Sequence, residues 1–174
     1  MSKRNLKKYL SGLTKEQLEE QFTELYEKFS DVKTYYDFVF NPKEEKLVGE
    51  AKIKIANEYF PTKSKRAKLR RSVAQKFIKH FITLGVDPFA IADVMLFTIE
   101  TAQRYSAKRE MKYASFYKSI LTAFEQAVKF TIANGIVYDF KDRIFAIEAE
   151  VKRQRWENRY EFKRIVELLD ENSD

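Results

Sequence analysis

The chain has no cysteine, which excludes a disulfide framework, a thiolate zinc site, an iron–sulfur cluster and a cysteine nucleophile. Its single histidine, His80, confines imidazole chemistry to one group. Four glycines and three prolines in 174 residues give little material for tight hairpins or repeated β-turns, so helices joined by short loops are expected. Every apolar run is broken within a few residues by Lys, Asp or Glu, and none approaches the ~20 residues of a membrane span. Lys3 and Arg4 lead into Asn5, Leu6, Lys7, Lys8 and Tyr9 rather than the apolar stretch of a signal peptide, so a cytoplasmic protein is expected. No GxGxxG, P-loop, GxSxG, HExxH or ExxH pattern occurs. The expectation is therefore a protein that is not an enzyme, with no cofactor and no metal site.

What is present is a folding composition. Hydrophobic residues make up 44% and aromatics 15%, enough for a core, and 34% charged residues supply the surface. The length fits a single domain over 1–174, with 1–62 as a candidate N-terminal helical subdomain.

Apolar spacing predicts an all-α fold of about eight or nine helices. Leu6, Tyr9, Leu10 and Leu13 share a face of a short first helix. Thr14 and Gln17 have capping-box spacing for a second helix, whose buried face is expected to be Leu18, Phe22, Leu25, Tyr26 and Phe29, with Glu16, Glu19, Glu20, Glu24 and Glu27 outside. Ser30-Asp31 opens an aromatic third helix. Asn41-Pro42, followed by Glu44 and Glu45, marks a fourth, with Asn41 as cap and Pro42 in the first turn, running to about Tyr59. A fifth closes at Gly85-Val86, and a sixth runs from Asp87-Pro88 to about Tyr105, apolar nearly all round and therefore central. Further helices are predicted from about Glu110 to Asn134, Tyr138 to Trp156 and Asn158 to Asp170, with Glu171 to Asp174 fraying. Gly85-Val86 and Gly135-Ile136 fall in equivalent places, which suggests either stacked helical hairpins or a compact antiparallel array.

Charge is concentrated in one place. Residues 1–62 carry 11 Lys+Arg against 11 Asp+Glu, residues 63–83 carry 8 against 0, and residues 84–174 carry 14 against 15, so the run 63–83 accounts for the net +7. Lys63, Lys65, Arg66, Lys68, Arg70 and Arg71 read as the start of the fifth helix, where each cation opposes the macrodipole by ~0.3–1 kcal/mol. Lys68, Ser72, Lys76, Lys79 and Thr83 would form its polar stripe, opposite Leu69, Val73, Phe77, Phe81 and Leu84. Arg66 and Arg70 would fall on the apolar side. Either the helix begins later, or these two reach acidic neighbours such as Glu20, Glu24 and Glu27.

A basic focus of this kind suits phosphates or an acidic protein surface. No zinc-finger spacing, RNP motif, GxxG loop or helix-turn-helix pattern offers base readout. The expected binding surface is Lys63, Lys65, Arg66, Lys68, Arg70, Arg71, Lys76 and Lys79, the expected partner a protein with an acidic surface, and nonspecific nucleic-acid binding through the same residues the alternative. A membrane surface is not expected to be the partner, because Phe77, Ile78, Phe81 and Ile82 are better used in a core. His80, at the edge of the apolar arc, reads as a hydrogen-bonded core residue. Asp93 and Glu100 share the polar stripe of the central helix, with Arg104 four residues beyond Glu100. They read as an interhelical salt-bridge seam before an acid/base pair.

The strings SKRNLKKYLSGLTKEQLEEQFTELYEKFSDVKTYYDFVFNPKEEKL and RRSVAQKFIKHFITLGVDPFAIADVMLFTIETAQ resemble a family of small uncharacterised bacterial proteins, a domain of unknown function. The resemblance covers nearly the whole chain. It implies an all-helical fold in a bacterial cytoplasm and carries no catalytic or binding residues over to this sequence.

Overall fold

The computed structural model describes residues 2–63, 66–109 and 111–171, and among them are nine α-helices. They are α1 (Lys3–Leu10), α2 (Lys15–Lys28), α3 (Ser30–Phe40), α4 (Glu44–Tyr59), α5 (Arg71–Leu84), α6 (Pro88–Ser106), α7 (Ala114–Ala133), α8 (Val137–Arg153) and α9 (Arg159–Glu171). The fold is all-α. Contacts separate two compact units, Met1–Lys43 and Glu44–Asp174, so α4 lies in the larger unit and the division falls well before residue 62. Residues 172–174 of the expected frayed end lie outside the described residues.

In the smaller unit the capping box is formed as the spacing predicts. Gln17 N–H donates to Thr14 Oγ1 at 3.3 Å and Thr14 N–H to Gln17 Oε1 at 2.9 Å. Helices α2 and α3 pack together, tied by Tyr26 Oη donating to Asp37 Oδ1 at 2.5 Å. The expected buried face of α2 is not buried: Phe22, Leu25 and Phe29 are 50%, 41% and 48% exposed, and α1, α2 and α3 contain no buried residue. Three helices of 8, 14 and 11 residues lack the volume to enclose a core of their own.

The larger unit is built around α6. Its circumference is apolar nearly all round, and it packs on α4, α5, α7 and α8. Ile91, Ala92, Val94, Leu96, Ile99 and Ala102 are each at most 2% exposed. Asp87 caps it, accepting from Phe89 N–H at 2.7 Å, and Pro88 occupies the first turn, where its missing N–H costs nothing. By contrast α4 begins two residues after Pro42, leaving that proline outside the helix.

Three helices end alike. After α5, Gly85 sits at φ 75° and Val86 N–H returns to Phe81 O at 3.1 Å; after α7, Gly135 sits at φ 70° and Ile136 N–H returns to Thr131 O at 3.0 Å. Only a left-handed residue allows this closure, and in both cases the next, apolar residue is buried. Helix α8 closes in the same way without glycine, with Arg155 at φ 54° and Trp156 N–H bonded to Val151 O at 3.2 Å. Trp156 then joins Phe116, Tyr117 and Phe162 in edge-on contacts at 5.1–5.9 Å between ring centroids.

Two helices start later than their apolar spacing suggests. Helix α7 begins at Ala114, with Tyr113 as its N-cap residue and 73% exposed; Glu110 lies outside the described residues. Helix α5 begins at Arg71, so Lys63, Arg66, Lys68 and Arg70, read as its first turns, precede it, and Lys65 lies outside the described residues. Leu69, expected on its apolar face, is in the preceding loop at φ 54°. That loop is folded back on the end of α4, where the Glu58 carbonyl accepts Lys68 and Leu69 N–H at 2.9 and 3.0 Å.

Candidate functional site

The basic run is a loop laid over the end of α4, and its organising group is Glu58. This carboxylate is only 8% exposed as a residue, yet it is fully engaged. Arg70 Nε donates to Oε2 at 2.9 Å, Arg70 Nη2 to Oε1 at 2.8 Å, and Arg70 N–H to Oε2 at 3.3 Å. Hydrogen bonding from Arg70 outweighs desolvation and holds the Glu58 carboxyl below the usual range. The pairing that the sequence suggested for Arg70 with the glutamates of α2 is thus made with α4 instead.

Arg71 serves a second internal role. Its Nη1 donates to the Ser119 carbonyl of α7 at 2.5 Å, and burial pushes its guanidinium below the ordinary value. Beside it the Tyr59 phenol, 3% exposed, is pushed up to about 12 by burial. Arg70 and Arg71 are therefore built into the fold, each satisfying a partner on a neighbouring helix.

The remaining predicted cations divide into two groups. Lys63, Arg66 and Lys68 are exposed and line a cleft of about 360 Å³ with Asn57, Glu58 and Pro61. Lys76 and Lys79 are exposed on α5 and line neither this cleft nor the one next to it. Lys65 lies outside the described residues.

The adjoining cleft, about 350 Å³, shares Pro61 and is lined by Phe60, Ala67, Tyr59 and Tyr105, with Lys108 and Arg109 from the α6–α7 loop. Its aromatic rings touch, Tyr59–Tyr105 at 6.0 Å and Phe60–Tyr105 at 5.7 Å. Two cations lie over them, Lys108 Nζ 5.9 Å from the Phe60 centroid and the Arg109 guanidinium 5.4 Å from that of Tyr105. Two loops far apart in sequence thus place five exposed cations, Lys63, Arg66, Lys68, Lys108 and Arg109, around two clefts in which the carboxylate among the described lining residues, Glu58, is already paired.

The candidate acid/base residues Asp93 and Glu100 are taken up in ion pairs. Arg143 of α8 joins Asp93 and Glu100, with Nη1 2.9 Å from Asp93 Oδ1 and Nε 2.9 Å from Glu100 Oε1, and Lys52 of α4 reaches Asp93 Oδ2 at 2.5 Å. These carboxylates form a structural seam between α4, α6 and α8. Arg104 donates to Thr101 Oγ1 at 2.9 Å rather than pairing with Glu100, which Arg143 has taken. His80 is exposed on α5, not a core residue; its ring lies 6.4 Å from that of Phe81. Among the described residues no group of three or more His, Asp or Glu side chains could hold a metal ion. No helix there is long and apolar enough to cross a membrane.

A family model described as "Family of unknown function (DUF6155)" matches residues 1–170. The chain belongs to that family. No curated protein and no solved structure matches it. Membership of the family assigns no residue a role, so the site rests on its own geometry.

Sequence reasoning missed Glu58 and the cations of the α6–α7 loop. Lys108, Arg109 and Lys112 fall within five residues, a visible cluster, but the near-balance of charge over 84–174 conceals it. Glu58 carried no such signal, because a glutamate near a helix end is ordinarily a surface residue.

Proposed function

We propose that this protein is a non-catalytic binding module of the bacterial cytoplasm that engages an acidic protein through the cationic surface of the 60–70 and 107–109 loops. The observation that carries the reading is the convergence of Lys63, Lys68, Lys108 and Arg109 around clefts in which, among the described residues, the lining carboxylate is Glu58, held by Arg70. An apolar floor of Phe60, Pro61 and Ala67 inside a cationic rim suits a protein contact, in which an apolar anchor is ringed by paired charges. Nucleic acid is the second reading, favoured by the same exposed cations. Against it, Lys108 and Arg109 already cover the ring faces on which bases would stack.

The test is retention of partners from a native lysate, with and without nuclease, on the wild type and on a Lys63→Glu, Lys68→Glu, Lys108→Glu variant. These three leave Arg70 and Arg71 in place, and the thermal melt of the variant checks that the fold is kept. Nuclease-resistant protein partners lost in the variant support the proposal, and partners retained by the variant overturn it. Complexes lost with nuclease, whose affinity falls with salt at a log–log slope of about −0.9 per neutralised phosphate on duplex DNA, select the nucleic-acid reading.

A further inference from the structure

We propose that residues 66–70 form a two-state strap, clamped on Glu58 in one state, as in the structure, and joined to α5 as an added N-terminal turn in the other. The clamped state is held through Glu58. Its carbonyl accepts Lys68 and Leu69 N–H at 2.9 and 3.0 Å, and its carboxylate accepts Arg70 N–H at 3.3 Å and the Arg70 guanidinium at 2.9 and 2.8 Å. Between these bonds Leu69 is kept at φ 54°. A side chain disfavours this left-handed region, and a leucine stays there only where its surroundings over-determine it.

The strap's own sequence favours the other state. Arg66, Ala67, Lys68, Leu69 and Arg70 are all strong helix formers, with no Pro, Gly or capping side chain among them. Helix α5 has no side-chain cap and no acid in its first turn, so its local chemistry gives no reason to stop at Arg71. Conflict between local preference and fold is expected at strained or functional segments. Against the helical state stand the Glu58 clamp and the charges of Arg66, Lys68 and Arg70, which would oppose the positive end of a lengthened α5.

The two states present different surfaces. Clamped, Lys68 lines the cleft with Asn57, Pro61 and Lys63. Helical, it would stand four, eight and eleven residues before Ser72, Lys76 and Lys79, on a stripe whose lysines line neither this cleft nor its neighbour. An anionic partner seated in the cleft would therefore favour the clamped state, a consequence that rests on the binding role proposed above.

The experiment reads the Cα chemical shifts of Ala67 and Lys68 by NMR in the isotopically labelled full chain, with no partner present. The wild type is expected to be non-helical at both. Glu58→Gln and Arg70→Ala weaken the clamp from its two sides, and each is expected to move both shifts towards helical values. Leu69→Gly added to either variant is expected to move them back, because glycine accepts the left-handed conformation and disfavours the helix. A wild type already helical at these residues overturns the proposal. So do variants whose shifts stay at the wild-type values or go to those of an unfolded chain, and a helical shift that Leu69→Gly does not reverse. Either variant decides alone if the other fails to fold. Because the shifts are read without a partner, they stand whatever the lysate test returns, and a loss of binding there leaves the strap untouched.

Discussion

Glu58 caps a helix to which it does not belong. Its Oε2 accepts the backbone N–H of Arg70, the residue before α5, while the Arg70 side chain closes on both carboxylate oxygens. Helix α5 has no acid in its own first turn and no side-chain cap, so the negative charge that its positive end favours comes from α4. This fits the start of α5 at Arg71, directly after the residue whose N–H the Glu58 carboxylate accepts.

Removing either member of this pair should therefore loosen the junction of α4 and α5. Arg70→Ala is expected to lower the midpoint of chemical denaturation, because it leaves the Glu58 carboxylate without the guanidinium that satisfies both its oxygens. Adding Glu58→Gln to Arg70→Ala should cost less than the sum of the two single changes. Full additivity would mean that the residues do not act together.

Acid should reach the same joint. Arg70 holds the folded Glu58 below its ordinary value of 4.5, so above that value the carboxylate is charged in both states and its contribution is fully present. As pH falls below 4.5 the unfolded chain takes up the proton first, and stability is lost as pH drops through the lower folded value. Melting temperature followed downward from neutral pH should fall more steeply in the wild type than in Glu58→Gln over that range.

Arg143 ties α8 to α6 through two carboxylates, and Lys52 joins α4 to one of them. Arg143→Met removes the guanidinium, which also lies 5.9 Å from the Phe140 ring centroid, and leaves Glu100 without it and Asp93 with Lys52. The three side chains are about one-third exposed, and the expected loss is about 2 kcal/mol by thermal or chemical unfolding. Replacing Asp93 and Glu100 by Asn and Gln in the same background should recover part of it.

The helix ends offer a test with opposite signs. A Cβ at Gly135 would meet nothing within 4 Å, so Gly135→Ala should cost about 1–2 kcal/mol through its φ of 70° alone. Gly49 within α4 is equally unobstructed and has no positive φ, and Gly49→Ala should stabilise by about 0.5–1 kcal/mol. Arg155, at φ 54°, should gain from Gly by an amount similar to the loss at Gly135.

Where apolar period and turn chemistry agree, the helices were readable in advance, as at the Thr14 capping box, the Asp87-Pro88 start and the Gly85 and Gly135 ends. The start of α5 was not, because its decisive partner is a carboxylate twelve residues upstream, and no local pattern distinguishes Glu58 from a solvated glutamate. The period of α2 was correctly helical, but periodicity reports which residues share a face and not whether anything covers that face. For the candidate surface, the cluster before Arg71 was legible as charge. Its division into fold-holding Arg70 and Arg71 and exposed Lys63 and Lys68 depends on which neighbours each side chain reaches. Lys108 and Arg109 entered only when the fold brought their loop alongside Phe60.

Within the larger unit α5 passes to α6, α7 to α8 and α8 to α9 through three to five residues, while α4–α5 and α6–α7 have the two longer connections, 60–70 and 107–113. Both longer connections border the cleft at Phe60 and Lys108. A change in the length of either connection, outside the Lys68–Arg70 stretch fastened to Glu58, would therefore reshape this one cleft while the short joints between the other helices stayed as they are.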